Sequence, residues 1–302
     1  MVTQQETLDT ILAGLMRRYQ QRVADIQRIF DGMRASGMIG SSDEIENDHI
    51  AFRTLGVPLL GIQSMEKIFL HCGYHRRDRY YFEGKKLNAY WYAPPQDHYP
   101  RVFISELRVD DLSSQAQQII RSYTDEVSAD PVEALDLEDG SQVDDFLHRG
   151  LWRRPSWNDY CQLLDESEYA AWVICNRYYL NHFTISVHNL PATYNDIRQF
   201  NAFVEGLGIR LNTSGGTVKQ SPDGLLLQSS TMAQMVEAEF DDGRGGTEVH
   251  AIAGSYVEFA QRCVLPEFAN LPPEQITRRH RRDGFEAGNA DKIFESTYRQ
   301  PQ

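Results

Sequence analysis

One order of predicted segments occurs twice in this chain: a strand, a helix and then three strands. The first copy has its strand, helix and three further strands at residues 49–55, 62–71, 78–82, 86–93 and 101–109. The second copy has a strand that contains His182, a helix that ends at Gly206, and strands at 209–220, 225–240 and 248–262. We therefore predict an α+β protein of two β-α-β-β-β modules whose strands form a curled mixed sheet.

The segments around the two copies set the predicted domain limits. Residues 1–40 are predicted to be a helical N-terminal extension, one helix or a pair, because apolar residues recur there at three- and four-residue steps. Residues 41–302 are predicted to be a second domain. It begins with module one at 45–112, followed by a connection at 113–177. Module two follows at 178–265, and a tail at 266–302 ends the chain.

One stretch of the connection and one cluster in the tail are expected to lie in solvent. Residues 125–145 contain nine acidic residues and no Lys or Arg, which is typical of a mobile or loosely helical stretch. Helices are predicted on either side of it, at 114–126 and 156–177. The tail contains a basic cluster at 278–282, for which we predict a solvated surface segment.

The composition excludes several classes of protein. A net charge of −13 at pH 7 repels phosphate backbones, so a nucleic-acid-binding protein is not expected. No run of 18 apolar residues occurs, which argues against a membrane-spanning helix. The N-terminus lacks the pattern of a secretion signal, and the four cysteines are scattered without a C-x-x-C pair. We therefore expect a cytoplasmic protein with reduced thiols.

Two histidines and one glutamate fall on three different predicted strands. His49 begins a strand of module one, His182 lies at the first strand of module two, and Glu258 lies in the last strand of module two. Two imidazoles and one carboxylate can bind ferrous iron and leave positions open for oxygen and substrate. The alternatives are histidines hydrogen-bonded in the core, and a Glu258 that pairs with Arg262 or faces solvent.

Two further charged residues lie close to these candidates in the sequence pattern. Arg53 shares a strand face with His49, so it can grip a substrate carboxylate through two parallel hydrogen bonds, or form a surface salt bridge. Glu106 lies on the last strand of module one, as Glu258 does in module two, and can be a fourth metal ligand. A site with two histidines and two glutamates favours an isomerase or lyase, because a filled coordination shell leaves less room for oxygen.

Several longer motifs resemble those of one known family. They are N-D-H-I-A-F-R-T at 47–54, K-K-L-N-A-Y-W-Y-A-P-P at 85–95, P-R-V-F-I-S-E-L-R-V at 100–109, N-H-F-T at 181–184 and G-S-Y-V-E-F-A-Q-R at 254–262. In these motifs, and over most of the chain from about residue 40 onward, the sequence resembles the 2-oxoadipate dioxygenase/decarboxylase family. That family is similar to hydroxymandelate synthase, so the resemblance implies a vicinal-oxygen-chelate fold.

The resemblance also implies a function. It implies a mononuclear Fe(II) centre with His49, His182 and Glu258 as ligands, and a substrate carboxylate held by Arg53. The implied reaction uses O2 to convert 2-oxoadipate to 2-hydroxyglutarate and CO2, a late step of lysine breakdown. The 2-oxo acid would chelate the iron and supply the electrons, so no separate co-substrate is expected.

Two rival functions are kept beside this one. The first is a four-ligand isomerase or lyase of the same fold that uses Glu106. The second is a non-catalytic protein that binds a small acid through Arg53. In each case the expected partner is a small molecule rather than nucleic acid or membrane, and a homo-oligomer is compatible with the sequence.

Overall fold

A computed structural model describes residues 3–298 of the chain. Its strands are β1 (Asn47–Leu55), β2 (His75–Phe82), β3 (Leu87–Ala93), β4 (Arg101–Leu107), β5 (His182–Ser186), β6 (Lys219–Gln220), β7 (Leu226–Ser230), β8 (Met235–Asp241), β9 (Thr247–Ala253) and β10 (Tyr256–Arg262). Its α-helices are α1 (Gln4–Arg22), α2 (Ala24–Ala35), α3 (Ile62–His71), α4 (Ser114–Thr124), α5 (Gly140–His148), α6 (Trp157–Glu166), α7 (Glu168–Asn176), α8 (Ile197–Gly206) and α9 (Ala287–Ile293).

Eight of the strands form one curled mixed sheet in the order β2-β3-β4-β1-β5-β10-β7-β6. From the centre of the sheet outward, the strands of module one follow the order β1-β4-β3-β2 and those of module two the order β5-β10-β7-β6. In each module the first strand therefore lies at the centre and the last strand lies next to it. The first strand of each module is parallel to its last strand, and β1 and β5 pair antiparallel where the modules meet. The predicted curled mixed sheet of two β-α-β-β-β modules is confirmed.

The N-terminal helices cover the outer face of this sheet. The apolar stripe of α1 and α2 is buried, and the two helices are separated at Val23. The rings of Tyr19 and Phe30 lie 6.3 and 6.2 Å from the ring of Phe183 on β5. Because strand side chains alternate between faces, the neighbour His182 points to the inner face. The helix pair therefore stabilises the strand that carries this histidine.

Module two differs from the prediction in its last strands. The predicted strands 225–240 and 248–262 are each interrupted. The end of the first and the beginning of the second pair with each other as the separate hairpin β8-β9. The predicted strand at 209–220 is a strand only at Lys219–Gln220. Phe240 of β8 and Ile252 of β9 are buried, so apolar residues recur in the hairpin as they do in the main sheet. The sequence pattern therefore gave no sign of where the two predicted strands break.

The connection and the tail are more ordered than expected. In the acidic stretch, α5 packs on α1 through apolar residues, and its buried Asp144 pairs with Arg17 and Arg18 at 3.2 and 3.0 Å. In the tail, Phe285 and Phe294 are buried, and α9 contacts β2 and β6, the two edge strands of the sheet. The prediction of a solvated segment at 278–282 is wrong, because His280 is buried and Arg278 donates to the carbonyl oxygens of Asp97 and Tyr99.

Within residues 3–298, no helix combines the length and the apolar character that a membrane span requires.

Candidate metal centre

His49, His182 and Glu258 meet on the inner face of the sheet, where the two modules adjoin. On the central pair of strands, His182 of β5 lies opposite Ala51 of β1, two residues from His49. On the next strand, Glu258 of β10 lies opposite Thr184, two residues from His182. Steps of two residues keep a side chain on the same face, so the sheet register brings the three candidates together.

The three side chains approach one another as ligands of a single ion would. Oε1 of Glu258 is 3.4 Å from Nε2 of His49, and Oε2 of Glu258 is 3.1 Å from Nε2 of His182. The two Nε2 atoms are 3.3 Å apart. Ligand atoms about 2.1 Å from one metal ion are about 3.0 Å apart at right angles and about 3.4 Å apart at tetrahedral angles. The distances from Nε2 of His182 to Oε2 of Glu258 and to Nε2 of His49 therefore fit ligands of one ion, and no other group of three such residues occurs within the described residues.

The electrostatics of the group also suit a cation. His49, His182 and Glu258 are 1%, 6% and 1% exposed. Burial lowers the pKa of His182 to about 3, so this imidazole is neutral and has a lone pair for a metal. Burial opposes ionisation of Glu258, but the charge of His49 and hydrogen bonds from His49 and Gln228 lower its pKa, so the carboxylate is charged. A buried carboxylate between two imidazoles is stabilised by a bound cation.

A buried ion-pair network fixes the orientation of His49. Nδ1 of His49 lies 2.8 Å from Oδ1 of Asp48, so Nε2 is left for the metal. Arg262 donates to both oxygens of Asp48, at 2.6 and 2.8 Å, and Arg101 approaches it at 3.4 Å. The alternative that Glu258 pairs with Arg262 is therefore wrong, because Arg262 pairs with Asp48.

Glu106 lies outside the metal site. His182 lies opposite Tyr256 in module two, and His49 lies opposite Arg101 in module one. Glu258 is two residues after Tyr256, and Phe103 is two residues after Arg101. Phe103 is therefore the counterpart of Glu258 in module one. Glu106 is three positions further along β4 and faces the other side of the sheet. Its Oε2 accepts a hydrogen bond of 3.0 Å from the backbone N–H of Ile62 at the start of α3. The four-ligand alternative is therefore excluded by the sheet register.

Arg53 shares the inner face with His49, as predicted, but its guanidinium is already engaged. Nη1 lies 3.3 Å from Glu168, and Nη2 donates to Thr297 Oγ1 at 3.0 Å and to the carbonyl oxygen of Phe294 at 3.2 Å. Nε has no hydrogen-bond partner among residues 3–298. The side chain is 1% exposed, so the alternative of a surface salt bridge is wrong.

The candidate ligands line a small cavity whose roof comes from the tail. The other lining residues are Phe103, Gln228, Tyr256, Phe285, Ala290, Ile293 and Phe294. The ring of Phe285 lies 4.8 Å from the ring of His49. The free volume is about 20 Å³, room for about one water molecule, so the entry of a larger ligand requires the roof to shift.

Sequence reasoning missed several residues of this site. Asp48 could have been found, because a carboxylate next to a ligand histidine is a common partner for its second nitrogen. Gln228 and the roof residues gave no such signal, since neither an amide in a strand nor an apolar tail indicates a metal site.

Known proteins resemble this chain over most of its length. The family model described as 2-oxoadipate dioxygenase/decarboxylase matches residues 11–271. The chain is 47% identical over 264 residues to the chloroplastic 2-oxoadipate dioxygenase/decarboxylase of Arabidopsis thaliana. This alignment covers 84% of this chain and 68% of the Arabidopsis protein. The chain is also 42% identical in sequence to hydroxyglutarate synthase from Oryza sativa, whose crystal structure was determined in complex with 2-oxoadipate. The two structures superimpose with a TM-score of 0.85, and the alignment covers 95% of this chain and 91% of the Oryza sativa chain.

A more distant structure supports the fold. A glyoxalase-superfamily protein from Ralstonia eutropha is 21% identical and superimposes with a TM-score of 0.75, covering 95% of this chain and 88% of its own. The predicted vicinal-oxygen-chelate fold is confirmed by this similarity and by the strand order. The match of the family model and the identity to the plant proteins show that the chain belongs to the 2-oxoadipate dioxygenase/decarboxylase family.

Proposed function

We propose that the chain is an Fe(II)-dependent dioxygenase that converts 2-oxoadipate and O2 to 2-hydroxyglutarate and CO2 in lysine breakdown. The observation that carries this proposal is the buried group of His49, His182 and Glu258 in a chain of this family. Two imidazoles and one carboxylate leave coordination positions open. Bound iron would use these positions to bind the 2-oxo acid and to activate oxygen.

The residues around the ion would set its coordination and exclude water. Asp48 accepts the Nδ1 hydrogen of His49 and so keeps Nε2 directed at the ion. Phe103 occupies the position in module one that Glu258 occupies in module two, so no fourth protein ligand fills the shell. Phe285 and the other roof residues cover the cavity, which keeps stray water from the reacting centre.

Arg53 and Tyr256 support the binding of the distal carboxylate of a diacid. Tyr256 lines the cavity, and neither its hydroxyl nor Nε of Arg53 has a hydrogen-bond partner within residues 3–298. Burial raises the pKa of Tyr256, so the hydroxyl stays protonated and can donate. A carboxylate would satisfy both buried donors, each of which is costly to leave unpaired. Glu168 and Thr297 hold the guanidinium in place before the substrate binds.

We further propose a cytoplasmic location and small-molecule partners. The four cysteines are scattered along the sequence without a C-x-x-C pair, which is typical of reduced thiols. The net charge of −13 disfavours both nucleic acid and an anionic membrane surface. Cell fractionation tests the location, and light scattering tests whether the chain forms a homo-oligomer.

The test of the proposed reaction is oxygen uptake by protein that has been loaded anaerobically with Fe(II). We expect uptake with 2-oxoadipate to exceed that with shorter 2-oxo monoacids, with one CO2 and one 2-hydroxyglutarate formed for each O2 consumed. His182→Ala, as the control, should abolish it. Turnover under nitrogen with zinc would contradict the proposal, as would an absence of oxygen uptake with every 2-oxo acid.

A further inference from the structure

The metal ligand Glu258 is connected to the tail by two buried amide side chains. Oε1 of Glu258 accepts a hydrogen bond of 2.7 Å from Nε2 of Gln228 on β7. Oε1 of Gln228 in turn accepts one of 3.0 Å from Nδ2 of Asn289 on α9. Both amide side chains are buried, so water does not supply alternative partners.

The order of donors and acceptors makes Asn289 decisive for the orientation of Gln228. An ionised carboxylate only accepts hydrogen bonds, so the amide nitrogen of Gln228 must face Glu258. The amide oxygen of Gln228 then faces the other way and needs a donor, which Asn289 provides. The second hydrogen of Asn289 is fixed as well, because Nδ2 also donates to the carbonyl oxygen of Leu226 at 3.3 Å.

Without Asn289, the amide oxygen of Gln228 is a buried acceptor without its side-chain donor, which is costly. The side chain then gains by shifting toward another donor, and its 2.7 Å hydrogen bond to Oε1 of Glu258 weakens. The carboxylate would no longer be held in one orientation. Since α9 also supplies part of the cavity roof, the seating of the tail and the orientation of this ligand depend on the same helix.

We propose that Gln228 and Asn289 are positioning residues that hold Oε1 of Glu258, so that only Oε2 is left to bind the metal. Oε2 is the oxygen that lies 3.1 Å from Nε2 of His182. Ligation through one oxygen keeps an additional coordination position open for the 2-oxo acid or oxygen. This inference rests on the proposed metal site. It adds that Asn289 of the tail orients the ligand Glu258 through Gln228, without contacting Glu258 itself.

The experiment is a Co(II) titration of the metal-free whole chain, with Co(II) as the probe in place of iron. It compares the wild type with Gln228→Ala, Asn289→Ala and the double variant. Loss of such a supporting contact typically costs roughly tenfold or more in metal affinity. We expect that loss in each single variant, and a changed visible spectrum of bound Co(II) as the second carboxylate oxygen becomes available. Because Asn289 acts through Gln228, the double variant should bind no more weakly than Gln228→Ala.

Asn212 provides the matched control. It is a buried asparagine that also ties the tail to the body of the protein, through bonds of 2.9 Å to the carbonyl oxygen of Lys292 and 3.0 Å to Ser296, but it does not contact Gln228. Asn212→Ala should lower the Tm of the metal-free protein about as much as Asn289→Ala does, without weakening Co(II). If Asn289→Ala does not fold, Asn289→Ser takes its place.

The outcomes separate this inference from the proposed function. Equal Co(II) affinities of the Asn289 and Asn212 variants would overturn the inference, and so would additive losses in the double variant. If the wild type binds Co(II) no better than His49→Ala, the metal site itself is wrong, and the proposed function fails with it.

Discussion

Replacing Asp48 by asparagine keeps the size of the side chain and removes a buried charge that holds two guanidinium groups. Arg262 and Arg101 both approach this carboxylate, and all three side chains are at most 2% exposed. Breaking a buried ion pair by removing one partner typically costs about 3–5 kcal/mol, because the remaining charge is left uncompensated. We expect Asp48→Asn to lower the free energy of unfolding by about this amount.

The expected change in Tm follows from the size of the chain. At about 2.1 cal/mol/K per residue, 302 residues give an entropy of unfolding of about 0.6 kcal/mol/K. A loss of about 3–5 kcal/mol then lowers the Tm by about 5–8 °C. Because Nδ1 of His49 also loses its carboxylate partner, Co(II) affinity should fall by roughly 10- to 100-fold. Scanning calorimetry of the metal-free protein and Co(II) titration measure the two effects.

Asp283 is the matched control for this substitution. It lies 2.6 Å from the same Arg101, but its side chain is 61% exposed. Exposed pairs contribute about 0–1 kcal/mol, so Asp283→Asn should lower the Tm by less than about 2 °C and leave Co(II) affinity unchanged. Equal losses of Tm in the two variants would refute the argument from burial. Unchanged Co(II) affinity in Asp48→Asn would refute the claim that Asp48 orients His49.

Three further substitutions and one metal addition test other parts of the site. Glu106→Gln should leave Co(II) affinity unchanged in a titration, because Glu106 binds the start of α3; a tenfold loss would restore the four-ligand site. Arg53→Lys should keep the metal but raise KM for a 2-oxo diacid by at least about tenfold more than for a monoacid, since it loses the planar fork; equal changes in steady-state kinetics would remove Arg53 from carboxylate binding. Phe285→Ala should cost about 3–5 kcal/mol in chemical denaturation, as for other buried aromatic residues; a cost below about 1 kcal/mol would show that the tail does not pack on His49. Co(II) at about one hundred times its Kd should stabilise the wild type by about 2.7 kcal/mol, or about 4 °C in Tm; the same shift in His49→Ala would contradict its role as a ligand.

The sequence predicts the elements of module one well, because each carries a clear local signal. The helix at Ile62–His71 has an apolar face and is followed by Gly73, which adopts a positive φ of 83°. The apolar pattern of the N-terminal residues likewise predicts buried helices. Family motifs around His49, His182 and Glu258 select the residues that the fold brings together.

The parts that the sequence did not predict depend on long-range pairing. Glu106 and Phe103 are equally good counterparts of Glu258 until the register of β1 with β4 is known. The same limit applies to the tail, where a basic cluster suggests solvent although Phe285 and Asn289 pack against strands far away in the chain. No local pattern encodes these contacts, because each partner is set by tertiary packing.

The metal site itself is tested by a crystal structure of the protein soaked anaerobically in a ferrous salt, with anomalous data collected at the iron edge. We predict one iron peak about 2.0–2.2 Å from Nε2 of His49, Nε2 of His182 and Oε2 of Glu258. An iron peak elsewhere would contradict it, as would a site in which any of these three side chains turns away from the metal.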